Sequence, residues 1–314
     1  MAERTTAPSP FDKDNDSDVI LVSSDNMVFY CHKILLTLVS PVFEAMFTLP
    51  VDQSNDVYDG RPCVTLAEDG DSLYLLLSWC DQRCTTRYRT VAQAELEKVL
   101  ELADKYGMEA IMKHVENFMV NIEITNPVEL VAISARFRLL ELAQVAAKKA
   151  LDEDLTDLIS MAGVPAARHL SAYGLHALLQ YHMNCTREAS RAATDIDWLN
   201  HHRQLVEVSP FTIRRCEESG CKTALQYRND YRWLKWWLAY MELAAGALAR
   251  RPSANAITSS NFLEKVHAEI SAITCHHCRK AGHDSILAFN NFLANEVCSR
   301  IEKVNSSRCS DDRG

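Results

Sequence analysis

The chain has 314 residues, 47% of them apolar and 24% charged, with a formal net charge of −9. This is the composition of a folded protein long enough for about two domains. The acidic balance, with no Lys/Arg block longer than a pair, excludes a strongly basic nucleic-acid footprint. No apolar run reaches membrane-spanning length: the stretch from Trp233 to Ala249 is interrupted by Lys235 and Glu242.

Residues 1–17 are polar, carry Pro8 and Pro10, and are expected to form a disordered lead without a signal-peptide core. Eleven cysteines, an odd number in a chain with no secretion signal, point to reduced thiols in the cytosol or nucleus. Asp18 to Val22 reads as a strand and Ser23-Ser24-Asp25-Asn26 as a turn. Met27 to Cys31 reads as a second strand, so the two make a hairpin. Ile34, Leu35, Leu38 and Val39 then fall at helical spacing. Ser40-Pro41 is a start signal for a further short helix carrying Val42, Phe43, Met46 and Phe47. Pro50 to Pro62 is a polar loop and Cys63 to Leu66 a third strand. Leu73 to Trp79 is a buried helix opened by Asp71 or Ser72, and Asp81 to Thr90 an arginine-bearing surface loop.

Leu96, Val99, Leu100, Ala103 and Tyr106 predict an amphipathic helix closed by Gly107. Met108 to Met119 predicts the next. Thr125-Asn126-Pro127 opens a helical region with Leu130, Ile133, Phe137 and Leu140 on one face, continued by Leu142 to Leu151. Asp154 to Ile159 and Leu170 to Met183 are further helices. Trp233, Trp236, Trp237 and Tyr240 form a stripe read as core, with a partner anchor as the other reading. In the last helix Ile286, Phe289, Leu293, Val297 and Ile301 share a face.

The stretch His32 to Phe47, HKILLTLVSPVFEAMF, resembles the BTB/POZ signature H-K-x-x-L-x-x-x-S-x-x-F-x-x-M-F. His32, Lys33, Leu36, Ser40, Phe43, Met46 and Phe47 are in register with it, and Asp18 belongs to the same set. The resemblance implies an α+β BTB/POZ domain, a short β-sheet flanked by helices, over residues 18–122. After it come a helical extension over 123–183, a helical Cys/Trp-containing region over 184–305 similar to that of fungal BTB proteins, and a polar tail over 306–314. It also implies pairing with itself or with another BTB protein through the first helix, where Leu35, Leu38 and Val39 are the interface candidates. Such an interface would bury on the order of 1,600 Å². The lead is too polar to supply an obvious swapped strand.

Relatives of this kind act as adaptors that link a partner to a cullin scaffold for ubiquitin ligation, or serve in transcriptional regulation. Neither a kelch-type substrate module nor basic zinc fingers accompany the signature here. His32 is read as a structural residue, since no nucleophile pairs with it. No phosphate-binding, nucleophile-elbow, metalloprotease or kinase motif occurs, so no enzyme is expected.

The spacings Cys216-x4-Cys221 and Cys275-x2-Cys278 suit a structural zinc, with His182 and Cys185, and also His277 or His283, as alternates; buried or idle thiols are the plainer reading. A metal- or redox-sensing thiol protein is the alternative of a different class, and it requires exposed thiols of low pKa.

Overall fold

The computed structural model describes residues 4–13, 16–48, 57–81, 92–122, 126–163, 170–195, 197–202, 226–228, 231–233 and 235–311. The chain divides into two compact units, residues 1–124 with 133–142, and residues 125–132 with 143–314.

The first unit is built on a five-stranded sheet of order β1-β3-β2-β5-β4. Its centre is the hairpin of β2 (Val19–Val22) and β3 (Met27–Cys31), paired antiparallel with Ile20 opposite Tyr30. All four residues of β2 are buried, as an apolar run covered on both faces must be. The Ser23–Asn26 turn closes the hairpin. Ser23 N donates to Met27 O (3.0 Å), and Asn26 takes the left-handed conformation that Asn tolerates (φ 66°).

The described part of the lead, expected to be disordered, instead joins this sheet. Its strand β1 (Thr5–Thr6) runs parallel to β3, pairing Thr5 with Met27 and Thr6 with Val28. Ala7 N donates to Val28 O (2.9 Å) and Tyr30 N to Phe11 O (3.0 Å). Phe11 is buried, its ring set against Phe29 and Tyr74. One aromatic in a polar stretch thus anchors it.

Of the Pro50 to Pro62 stretch, expected as a loop, residues 50–56 lie outside the described residues and 57–62 belong to a hairpin. β4 (Val57–Tyr58) and β5 (Arg61–Thr65) form a hairpin across Asp59-Gly60. Both turn residues have positive φ (52° and 75°), as a two-residue turn of this hand demands. β5 then lies parallel to β2, with Ile20 opposite Cys63.

Helices α1 (Lys33–Val39) and α2 (Pro41–Thr48) follow β3. Helix α3 (Gly70–Cys80) opens earlier than Asp71 or Ser72 because Asp69 is its cap, accepting from Ser72 N (2.8 Å). Gly70 sits close under Met27: a Cβ there would stand 2.8 Å from Met27 Sδ, so the methionine would have to shift. Helices α4 (Gln93–Lys105) and α5 (Glu109–Asn121) form the expected pair, joined through Gly107 at φ 64°. The expected loop Asp81 to Thr90 lies, beyond Asp81, outside the described residues.

Helix α6 (Pro127–Phe137) is capped by Asn126, whose Oδ1 accepts from Val128 N (3.0 Å). It does not continue into the next helix: Arg138 turns to φ 57°, and α7 (Leu140–Ala150) starts anew. That break takes Leu140 off the predicted apolar face. Leu130, Ile133 and Phe137 are buried, whereas Leu140 is 75% exposed and Leu139 is buried in its place. The start of α7 is held from α5, where the buried Glu116 carboxylate accepts from Glu141 N (2.9 Å) and Leu142 N (3.1 Å).

The rest is mostly helical. α8 (Leu155–Met161) is capped by Asp154. α9 (Ala172–Thr194) carries unbroken through residues 183 and 184, where a domain border was expected. A 3-10 helix (Asp197–His202) and a hairpin of β6 (Gln226–Arg228) and β7 (Tyr231–Trp233) precede α10 (Lys235–Arg250). Helices α11 (Ala254–Thr258), α12 (Ser260–Ser271) and α13 (His276–Asp311) complete the chain. The last extends into the segment expected as a tail.

Trp236, Trp237 and Tyr240 are buried with Phe289, Leu293 and Val297 in one core, so the aromatic stripe is interior. Trp233 belongs to β7 rather than to that helix. Tyr240 Oη donates to the buried Asn290 Oδ1 (2.8 Å), which gives the buried phenol its partner. Ile286 and Ile301 are buried on the same predicted face of α13.

The second unit also buries His182, whose Nε2 lies 3.0 Å from Glu153 O. Burial pulls its pKa below the ordinary histidine value, against the opposing pull of the Glu153 carbonyl and Asp154. The unfolded chain therefore takes up a proton near pH 6.5 that the fold resists. Stability is expected to be complete above about pH 6.5 and to fall as pH drops below it. Urea midpoints between about pH 7.5 and 5.5 check this, and His182→Gln should flatten that part of the slope.

Candidate interaction surface

The surface begins where β3 ends. His32 keeps extended backbone (φ −110°, ψ 121°) as the residue before α1. Its side chain does not cap the helix; the Asp18 carboxylate does, accepting from Lys33 N at 2.7 Å. Asp18 N in turn donates to Cys31 O (3.1 Å), so the cap is fixed to the sheet.

Of the seven residues of α1, Leu36 is the buried one. Ile34, Leu35 and Leu38 are 64%, 43% and 74% exposed, and Val39 is half-buried. Three of the five aliphatic side chains of this short helix are thus left in water. Beside it runs a groove lined by Phe11, His32, Leu35, Leu36, Leu77 and Cys80. Burial, with Asp81 nearby, pushes the Cys80 thiol up to about 12, so at neutral pH it is a protonated apolar wall.

The other signature residues hold α1 and α2 in place. Ser40 Oγ accepts from Phe43 N (3.1 Å), capping α2, and donates to Tyr106 O (2.6 Å) at the end of α4. Phe43 is fully buried and stacks on Tyr106, ring centroids 4.8 Å apart and planes 9° off parallel. Phe47 stacks on Phe43 (5.9 Å) and is itself half-buried, as is Met46; Lys33 Nζ stands 5.8 Å from the Phe47 ring centre. Tyr106 Oη donates to Glu68 Oε2 (2.5 Å), and Lys105 pairs with the same carboxylate. Gly107 lies under Pro41, where a Cβ would meet the proline ring at 3.1 Å. The spacing of the motif is thus the spacing of one cap, one cross-link and one aromatic stack.

Residues 9–123 match the family model of the BTB/POZ domain. The chain carries a BTB/POZ domain. No curated protein matches the chain. The match begins after β1 and closes just past the end of α5, so it covers β2 to β5 and α1 to α5. It is a protein-interaction fold.

The candidate zinc ligands lie apart from it in sequence. Cys216 and Cys221 are outside the described residues. Cys275 and Cys278 stand at the start of α13, the first half-buried, the second buried; Cys275 O accepts from Arg279 N (3.0 Å). His182 and Cys185 are core residues of α9. Among the described residues no three His, Cys, Asp or Glu converge as metal ligands. Sequence reasoning missed Tyr106 and Glu68 as supports of the signature. Tyr106 was visible only as the end of an apolar stripe, and no spacing in the sequence singles out Glu68.

Proposed function

We propose that this protein is an interaction adaptor whose BTB/POZ domain pairs with a second copy, or with another BTB/POZ domain, through α1. The exposure of Ile34, Leu35 and Leu38 on a helix rigidly tied to the sheet carries this reading. Apolar side chains held at fixed positions lose little freedom on binding, which favours a stable contact. The helical region after the domain would hold the partner, and recruitment of a cullin-type scaffold would make the assembly a ubiquitin-ligase adaptor. A transcriptional co-regulator working through the same pairing is the second reading. A thiol sensor has less support, since the Cys80 and Cys298 thiols are both raised by burial.

Light scattering on the purified chain should give the mass of two chains. The Leu35→Asp/Leu38→Asp variant should give one, with unchanged far-UV circular dichroism, because both positions are exposed. A wild-type monomer would overturn self-pairing and leave a different BTB/POZ partner. Co-purification with a cullin scaffold, abolished by the same variant or not, separates the adaptor from the co-regulator.

A further inference from the structure

Outside the BTB/POZ domain, α12 and α13 each present one histidine to the other. His267 Nδ1 and His283 Nδ1 are 3.0 Å apart, and the ring centroids are 5.2 Å apart with planes 19° off parallel. Both side chains are half-buried, so solvent and ions reach them. Two neutral imidazole nitrogens at this distance need something between them, either one shared proton or one cation. Two nitrogens bound at about 2.0–2.1 Å to one tetrahedral ion stand about 3.3 Å apart, so the observed pair needs to open by only about 0.3 Å.

Ser271 adds an independent indication. Its Oγ donates to His267 O (2.7 Å), which turns a lone pair of the hydroxyl toward His283 Nε2 at 3.4 Å. A hydroxyl accepting from Nε2–H fixes the His283 tautomer in which Nδ1 carries the lone pair. That is the outer support that metal-bound histidines ordinarily have.

We propose that His267 and His283 form an open site for a first-row divalent ion of the zinc and nickel class, cross-linking α12 to α13. No third His, Cys, Asp or Glu among the described residues joins them, so water completes the coordination. The site is separate from the Cys275-x2-Cys278 pair and does not depend on the pairing of BTB/POZ domains.

The test is a zinc titration of the chelator-stripped full chain, read by NMR of the histidine ring nitrogens and by zinc stoichiometry. Zinc should shift the Nδ1 signals of both His267 and His283 together. His267→Gln and His283→Gln should each remove one bound equivalent while retaining the helical circular dichroism. Ser271→Ala, which keeps both ligands, should weaken that equivalent about tenfold. The proposal is overturned if the double histidine variant binds as much zinc as the wild type, since the chain has other histidines and cysteines. It is equally overturned if the two Nδ1 atoms keep a shared proton that zinc does not displace. The wild-type spectra decide even if a variant fails to fold.

Discussion

Phe43→Ala is expected to destabilise the BTB/POZ domain by about 3–5 kcal/mol, the range for emptying a buried aromatic site. Phe43 is fully buried and stacked on both Tyr106 and Phe47, so its loss leaves two rings without a partner face. The site cannot readily collapse, because Ser40 pins the start of α2 to the Tyr106 carbonyl and Gly107 is pressed against Pro41. Leu38→Ala, five residues earlier and 74% exposed, should change stability by less than about 0.5 kcal/mol. Urea unfolding of both variants measures the contrast. Equal effects would mean that the stack does not hold the motif together. A large loss at Phe43 with a silent Leu38 would leave the exposed leucine free for a partner.

Glu116→Ala should cost about 2–3 kcal/mol, since it removes charge-assisted bonds at a buried position. The carboxylate caps α7 through Glu141 N and Leu142 N, and Lys113 pairs with it at 2.9 Å. Burial alone would raise its pKa. Lys113 and the two backbone donors outweigh burial and hold the carboxyl below the usual glutamate value. The sign follows: this stability is present above the unfolded pKa of about 4.3 and is lost as pH falls through the lower folded value. Glu116→Gln keeps the shape and cannot ionise, so it should lose most of that acid dependence along with part of the stability. Urea midpoints of the wild type and of Glu116→Gln from about pH 7 to 3.5 measure it. A wild-type slope identical to that of Glu116→Gln would show that the carboxylate is not held as a charge.

What could be read from the chain differed by physical cause. The His32 to Phe47 motif was legible because each of its positions answers a local demand, such as the Ser40 cap, or a contact with a fixed partner, such as the Tyr106 stack. The helices α4 and α13 were legible from apolar period alone, and the predicted faces are buried. The β4–β5 hairpin was passed over because polar residues surround its Asp59-Gly60 turn signal. Leu140 was misplaced because a single residue, Arg138, enters the left-handed region and resets the helical phase; no periodicity registers that. The order of the lead depends on Phe11 reaching Phe29 and Tyr74, contacts distant in sequence. His267 and His283, 16 residues apart on separate helices, follow no motif and become neighbours only when α12 and α13 pack.

The parallel pairing of β1 with β3 bears on the order in which the sheet assembles. β2 and β3 are neighbours joined by a four-residue turn and can zip locally. β1 has no such route: Thr5 must find Met27 across the intervening β2 and its turn, and a parallel partner must already be in place to receive it. Thr5 and Thr6 are therefore among the last residues of the sheet to be fixed. Until they pair, the outer edge of β3 stands uncovered.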